Sequence, residues 1–181
     1  KREIGHRQGE AASLGNLGGI AHSIGDLKKA ERLYNESLTI NREIGHRQGE
    51  AASLGNLANI AHSRGDLKKA ERLYNESLTI NRENGLRRGE AYCLQAQGKI
   101  LQGRGDSIGA EKLYLKSRDI LRTIDLPKDE LELCYKLGKL KDSEGLHEWG
   151  EVFYQQALDI HKHTGIQTPS WLIDRMKRVF P

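Results

Sequence analysis

Hydrophobic residues recur at helical spacing along most of the chain. In the first forty residues, one stripe consists of Leu14, Leu17, Ile20 and Ala21, and a second consists of Leu27, Ala30, Leu33, Tyr34, Ser37 and Leu38. Spacings of three and four residues are typical of amphipathic helices. Between the stripes, Gly25 can adopt the left-handed conformation that ends a helix, and Asp26 can cap the next one. The pattern predicts two helices joined by a tight turn, the second running to about Glu43 and ending at Gly45.

The whole pattern repeats every forty residues. Residues 3–42 match residues 43–82 at all but three positions, namely Gly18/Ala58, Gly19/Asn59 and Ile24/Arg64. Diverged third and fourth copies occupy about 83–122 and 123–162, without insertions or deletions. A fixed period of this length is typical of solenoids, in which each unit buries its apolar face against its neighbours. We therefore predict an all-α array of four helical hairpins.

Small residues at equivalent positions predict where helices approach closely. Three such columns are Gly18, Ala58, Gly98 and Gly138; Ala30, Ala70, Ala110 and Gly150; and Ser37, Ser77, Ser117 and Ala157. The large side chains beside them are Tyr34, Tyr74, Tyr114 and Tyr154. We interpret the tyrosine column as core, and we expect the tyrosines in general to be committed to the core.

The residues that recur in each unit resemble the tetratricopeptide repeat. The matching pattern is Leu14-x-x-Leu17-Gly18-x-x-Ala21, then Gly25-Asp26, then Ala30, Tyr34 and Ser37-Leu38. The usual unit has about 34 residues, and the longer form here is similar to repeats in Pins-type adaptors, kinesin light chains and prokaryotic signalling proteins. The resemblance covers residues 3 to about 163 and implies an α-α superhelix.

The fourth unit departs from this pattern, as terminal units often do. It has Gly150 where alanine is usual and Leu146 where the turn aspartate is usual, although Pro127 suits the first turn of a helix. The third unit has Gln97 in place of the usual leucine. We assign residues 1–163 to the four units and residues 164–181, where the period fails, to a C-terminal capping helix.

The other end of the chain has no such cap. Lys1-Arg2-Glu3 aligns with Asn41-Arg42-Glu43, the end of a second helix. We therefore expect further units upstream in the parent protein. We also expect exposed apolar surface at this uncapped N-terminal end, and self-association through it.

Composition narrows the classes of function. The net charge is +4, with 36% hydrophobic and 30% charged residues, which does not demand a polyanionic partner. No apolar run approaches the roughly 20 residues needed to cross a bilayer, and no signal peptide is recognisable. Cys93 and Cys134 belong to no CxxC pair or zinc-spaced cluster. We expect buried, reduced thiols and a cytoplasmic location without membrane association.

The sequence offers no convergent catalytic site. His6/His46 and His22/His62 are copies made by the repeat, so they fall in adjacent units, too far apart to share one metal ion directly. No glycine-rich phosphate loop follows a strand, and no nucleophile has a matching base. We therefore expect no enzyme activity, no catalytic residue, no metal site and no cofactor.

The resemblance implies a protein-interaction module whose first helices line a concave groove that holds a peptide of a partner. The candidate peptide-binding residues are Asn16, Asn56, Asn59, His22, His62, Lys99, Gln102, Lys136 and Lys139. Amide side chains both donate and accept hydrogen bonds, so they can hold a peptide backbone without reading its side chains. The lysines would favour an acidic partner, or they form an ordinary solvated face.

Two other functions stay open at this stage. The array could be a structural scaffold or self-associating spacer, which suits the near-identity of its first two units. Nucleic-acid binding has less support. Exposed aromatic residues do not alternate with the basic residues of the loops, which are Arg7, Arg47, Arg87 and Arg88.

Overall fold

A computed structural model describes residues 2–166, and these form eight helices without any strand. The helices are α1 (Arg2–Ser23), α2 (Leu27–Glu43), α3 (Arg47–Ser63), α4 (Leu67–Glu83), α5 (Arg87–Gly103), α6 (Ser107–Thr123), α7 (Pro127–Ser143) and α8 (His147–Thr164). They follow one another in packed pairs, as in a helical solenoid. The all-α prediction is confirmed. None of the described helices is both long and apolar enough to span a membrane.

The chain divides into two compact units, Lys1–Ile100 and Leu101–Pro181. In the first unit α1 packs on α2, α2 on α3 and α3 on α4; in the second, α6 packs on α7 and α7 on α8. Most of the capping helix predicted for residues 164–181 lies outside the described residues. The division at residue 163 therefore stays a prediction.

The turn inside the first hairpin has the predicted chemistry. Gly25 has φ = 82°, in the left-handed region where residues with a Cβ are strained. The Asp26 carboxylate then caps α2 by accepting a hydrogen bond from the backbone N–H of Lys29 at 3.0 Å. Leu146 occupies the equivalent position before α8 and makes no side-chain cap. The irregularity predicted for the fourth unit is therefore visible at this turn.

The tyrosine column lies in the core, as predicted. Its members Tyr34, Tyr74, Tyr114 and Tyr154 are all buried. A Cβ on Gly18 would stand 2.8 Å from Cε1 of Tyr34, so a glycine there lets the ring approach the helix backbone. The wider expectation that tyrosines are committed to the core is wrong for Tyr92, which is 44% exposed.

The start of the chain differs from its own copy. Residues 44–46 form a turn in which Gly45 has φ = 67°, whereas the identical stretch at 4–6 continues helix α1. The turn is closed by the His46 N–H, which donates to the Asn41 carbonyl at 2.8 Å. The sequence alignment of residues 1–3 with residues 41–43 therefore does not extend to the turn that follows α2.

The same residues also meet different surroundings in α1 and α3. Leu57 and Ile60 are 5% and 1% exposed because α3 packs against α2. Their copies Leu17 and Ile20 are 51% and 60% exposed. Together with Ile24 they form an uncovered apolar strip, which we call the α1 stripe.

Candidate functional site

Two equivalent recesses open on the first compact unit, each with a volume of about 470 Å³. Recess 1 lies between α1 and α3, and recess 2 lies between α3 and α5. Most of their lining residues are related by the forty-residue repeat, including Gly15 and Gly55, which leave space beside the helices. The amide side chains that line recess 1 are Gln8, Asn16, Asn41, Gln48 and Asn56.

The floor of recess 1 is a buried polar network. Asn41 is 3% exposed, and its Nδ2 donates to Oγ of Ser37 at 3.3 Å and to Oγ of Ser53 at 3.5 Å. Ser37 in turn donates to the Ala11 carbonyl at 2.8 Å. Because buried polar groups are stable only when they are hydrogen-bonded, this network fixes the floor.

The floor of recess 2 repeats this design with one change. Asn81 donates to Oγ of Ser77 at 3.2 Å and lies 3.7 Å from Sγ of Cys93, which replaces Ser53. Ser77 donates to the Ala51 carbonyl at 2.8 Å. Burial raises the pKa of the Cys93 thiol, so Cys93 stays a protonated, packed side chain rather than a nucleophile.

His46 joins the wall of recess 1 to its floor. Its Nδ1 lies 3.0 Å from Oδ1 of Asn41, and its Nε2 lies 3.2 Å from Nε2 of Gln8. An amide nitrogen is a donor only, so Nε2 of the imidazole accepts and Nδ1 carries the hydrogen. The two contacts therefore place the ring hydrogen of His46 on Nδ1.

The predicted asparagines differ in what their amides contact. Asn16 and Asn56 both line recess 1, and Asn56 also lines recess 2. Asn59 already bonds two hydroxyls within the unit: its Oδ1 accepts from Tyr74 and its Nδ2 donates to Tyr92. The structure thus brings Asn16 and Asn56 together at one surface and uses Asn59 to hold other side chains.

The predicted histidines and basic residues are spread over both units. In the first unit, partial burial and the charge of nearby Lys99 lower the pKa of His62, which favours its neutral form. Lys99 itself is exposed and His22 is half-buried. In the second unit, Gln102 accepts a hydrogen bond from Tyr114 at 3.1 Å.

The two predicted lysines of the second unit each interact with a neighbouring side chain. Lys136 forms an ion pair of 3.1 Å with Glu132, one helical turn away. Nζ of Lys139 lies 5.6 Å from the centre of the Tyr135 ring, within the range of cation–π attraction. These lysines lie on α7.

Sequence reasoning missed most of the residues that line the recesses, among them Gln8, Gln48, Arg88 and Tyr92. Tyr92 stands where the preceding repeat has Ala52, and Arg88 stands where it has Gln48. These differences between the second and third repeats were the available signal for Arg88 and Tyr92, whereas Gln8 and Gln48 are equivalent and identical and gave none. Within residues 2–166, no three His, Cys, Asp or Glu side chains converge in a way that would hold a metal ion.

A sequence model described as the tetratricopeptide repeat matches residues 9–83 and again residues 49–123. Together the two matches cover more than half of the chain. The chain belongs to the tetratricopeptide repeat family. The repeat of this family is a non-catalytic scaffold, and proteins that contain it generally mediate protein–protein interactions. A search of curated proteins found no match.

Solved structures share the tetratricopeptide fold at low sequence identity. BtubC (BKLC) from P. vanneervenii is 21% identical with a TM-score of 0.75, over 94% of this chain and 78% of that protein. A kinesin light chain protein of P. anserina with nearly identical TPR-like repeats is 16% identical with a TM-score of 0.68, over 84% and 75%. The apo form of RapI is 11% identical with a TM-score of 0.76, over 86% of this chain and only 57% of RapI.

Proposed function

We propose that the first compact unit binds an extended segment of a partner protein across recess 1 and recess 2. The observation that carries the proposal is the repetition itself: two recesses of about 470 Å³, with bonded floors and amide-bearing walls, follow each other along α1, α3 and α5. The cytoplasmic location predicted from the sequence is part of the same proposal.

The chemistry of the recess walls suits a peptide backbone. Asn16 and Asn56 each offer one acceptor and two N–H donors, which match the carbonyl and N–H groups of an extended chain. An extended chain advances about 3.3 Å per residue, so a segment of several residues would be needed to pass from recess 1 to recess 2.

The proposal includes an acidic character for that segment. Lys99, on α5 of the first compact unit, is exposed. Exposed lysines beside a peptide site would raise the association rate and the specificity for acidic partners more than the final affinity.

Panning a displayed random peptide library on the protein tests this function. We expect the double variant Asn16→Ala/Asn56→Ala to weaken binding of the enriched peptide at least ten-fold, because two sets of backbone hydrogen bonds are lost. Fluorescence anisotropy with the labelled peptide gives the dissociation constants. In the same assay, Lys99→Glu should mainly slow association with an acidic peptide.

Asn35→Ala/Asn75→Ala is the matched control, since it removes two exposed asparagines one repeat apart from α2 and α4. Its affinity should equal that of the unaltered protein. Equal weakening by both double variants would contradict a site on α1 and α3.

A second function is favoured by the α1 stripe. Leu17, Ile20 and Ile24 are 51%, 60% and 74% exposed, although the first two are buried in their copies on α3. Contiguous exposed apolar residues are typical of interaction surfaces. We propose self-association through this stripe as the alternative, in which the array acts as a scaffold.

Light scattering over a range of protein concentrations tests self-association. We expect the average mass to rise with concentration, and Leu17→Ser/Ile20→Ser to hold it at the monomer value. Ile108→Ser is the control, because Ile108 is 81% exposed but lies on α6. A constant monomer mass for the unaltered protein, or association that survives the double substitution, would exclude the α1 stripe as the contact.

A further inference from the structure

Recess 2 lacks a side chain that completes the hydrogen bonds of recess 1. In recess 1, the imidazole of His46 accepts from Gln8 at 3.2 Å and donates to Asn41 at 3.0 Å, so it bridges wall and floor. The residues at the equivalent positions of recess 2 are Leu86, Gln48 and Asn81. The bridging imidazole is thus replaced by the side chain of leucine, which has no polar atom.

The floor of recess 2 fixes the direction in which the Asn81 amide points. The Ser77 hydroxyl donates its hydrogen to the Ala51 carbonyl at 2.8 Å, and the Cys93 thiol donates to Ser77 at 3.3 Å. Both side chains therefore present acceptors to the amide, at 3.2 and 3.7 Å, and only its nitrogen can donate to them. Oδ1 of Asn81 consequently points the other way, toward Gly89.

Oδ1 of Asn81 is a buried acceptor without a donor among the described residues. Asn81 is 5% exposed, and within residues 2–166 its side chain bonds only through its nitrogen. A Cβ on Gly89 would collide with this oxygen. Asn81 and Gly89 both line recess 2, so the oxygen faces the cavity across a residue that has no side chain. Because buried polar atoms are nearly always hydrogen-bonded, this one calls for a partner from outside the chain.

Gln48 is the other group that has lost its bridge. Its copy Gln8 donates to His46, whereas no described residue forms a hydrogen bond with the exposed side chain of Gln48. Its amide can therefore donate to a ligand. A group that enters recess 2 between Gln48 and Asn81 meets a donor on one side and an acceptor on the other.

We infer that recess 2 is a subsite for a carboxamide side chain of the bound segment, and that glutamine suits it best. The glutamine NH₂ donates to Oδ1 of Asn81, and its carbonyl oxygen accepts from Gln48. An ammonium can only donate and a carboxylate can only accept, so each would leave one of the two groups unpaired. A hydroxyl would have to make both contacts through one oxygen, whereas recess 1 uses two ring nitrogens.

The depth of the recess favours a side chain over the backbone of the segment. Asn81 is buried at the floor of a cavity of about 470 Å³. The stem of a glutamine can cross this depth against the apolar lining of Ala52 and Leu86, while wall amides such as Asn56 hold the backbone. This inference rests on the proposed peptide-binding function and assigns its side-chain specificity to one recess.

The test compares two peptides. One is enriched from a displayed random library and then synthesised, and we expect such peptides to share a glutamine. The other has methionine at that position, which keeps a long unbranched side chain without an N–H donor. Fluorescence anisotropy should show the methionine peptide binding the unaltered protein about ten-fold more weakly or worse, because Asn81 then stays buried without a donor.

Leu86→His installs the residue that the preceding repeat carries, and it should give Asn81 a donor from within the chain. We expect the two peptides to bind this variant within about two-fold of each other. A merely structural effect would weaken both peptides equally and preserve their ratio. Gln48→Ala should also reduce the ratio, and Gln8→Ala is its matched control because Gln8 lines recess 1 alone.

Three results would overturn the inference. Peptides that share no glutamine or asparagine, yet need Asn16 and Asn56, would refute it and leave the proposed function standing. A glutamine advantage that survives Leu86→His would place the carboxamide outside recess 2. If circular dichroism shows that this variant does not fold, a ratio equal in Gln48→Ala and Gln8→Ala decides in the same way. Absence of any enrichment would reject the inference and the proposed function together.

Discussion

Ile60→Ala should lower the free energy of unfolding by about 2–5 kcal/mol, whereas Ile20→Ala should change it by no more than about 0.5 kcal/mol. Both residues occupy the same place in the forty-residue repeat, but Ile60 is 1% exposed and Ile20 is 60% exposed. Removing buried methyl groups loses their transfer free energy and leaves a cavity, whereas truncation at an exposed site does neither.

Urea denaturation followed by far-ultraviolet circular dichroism gives the two free energies. Because repeat arrays need not unfold in one step, hydrogen exchange of α3 and α1 should confirm where protection is lost. Equal destabilisation by the two substitutions would mean that α1 is covered in solution, which would contradict the exposed α1 stripe.

Gly49→Ala should destabilise the protein by about 1–3 kcal/mol. A Cβ at residue 49 would stand 2.6 Å from Nδ1 of His46 and would collide with the Asn41 amide. Asn41 is 3% exposed and bonded into the floor of recess 1, so it has no free space to enter. Relief of the clash would therefore break buried hydrogen bonds.

Gly9→Ala is the matched control, because Gly9 is the copy of Gly49 with no atom within 4 Å of the added methyl. In helix α1 the alanine should stabilise the protein by about 0.5–1 kcal/mol, as expected for glycine in a helix interior. The two substitutions are thus expected to have opposite signs. Stabilisation by both substitutions would contradict this expectation, because it would show that the Asn41 side chain can move away from the added methyl group at little cost in free energy.

The sequence predicted the repeating architecture well because its signals were local and numerous. The helix stripes, the left-handed Gly25 and the Asp26 cap each depend on neighbouring residues, and each recurs. The close approach of Tyr34 to Gly18 could also be predicted, because only small residues, Gly18 and Ala58, occupy this position in the first two repeats. Repetition supplied the evidence that a single hairpin would lack.

The site was harder to predict because identical residues have different surroundings. Gly5 and Gly45 have the same neighbours on their C-terminal side, yet one lies in a helix and the other in a turn. The predicted contact residue Asn59 serves Tyr92 instead, because its partners come from α4 and α5. Such contacts join distant segments and leave no local pattern.

The bond between Asn59 and Tyr92 crosses from the second repeat to the third. If residues 43–82 were duplicated once more, the first copy of Asn59 would face an alanine, and only the last would face Tyr92. Each such duplication would add a recess of the first kind and would leave recess 2 single. The number of recesses and the side chains that line recess 2 could therefore change independently as the array gains or loses units.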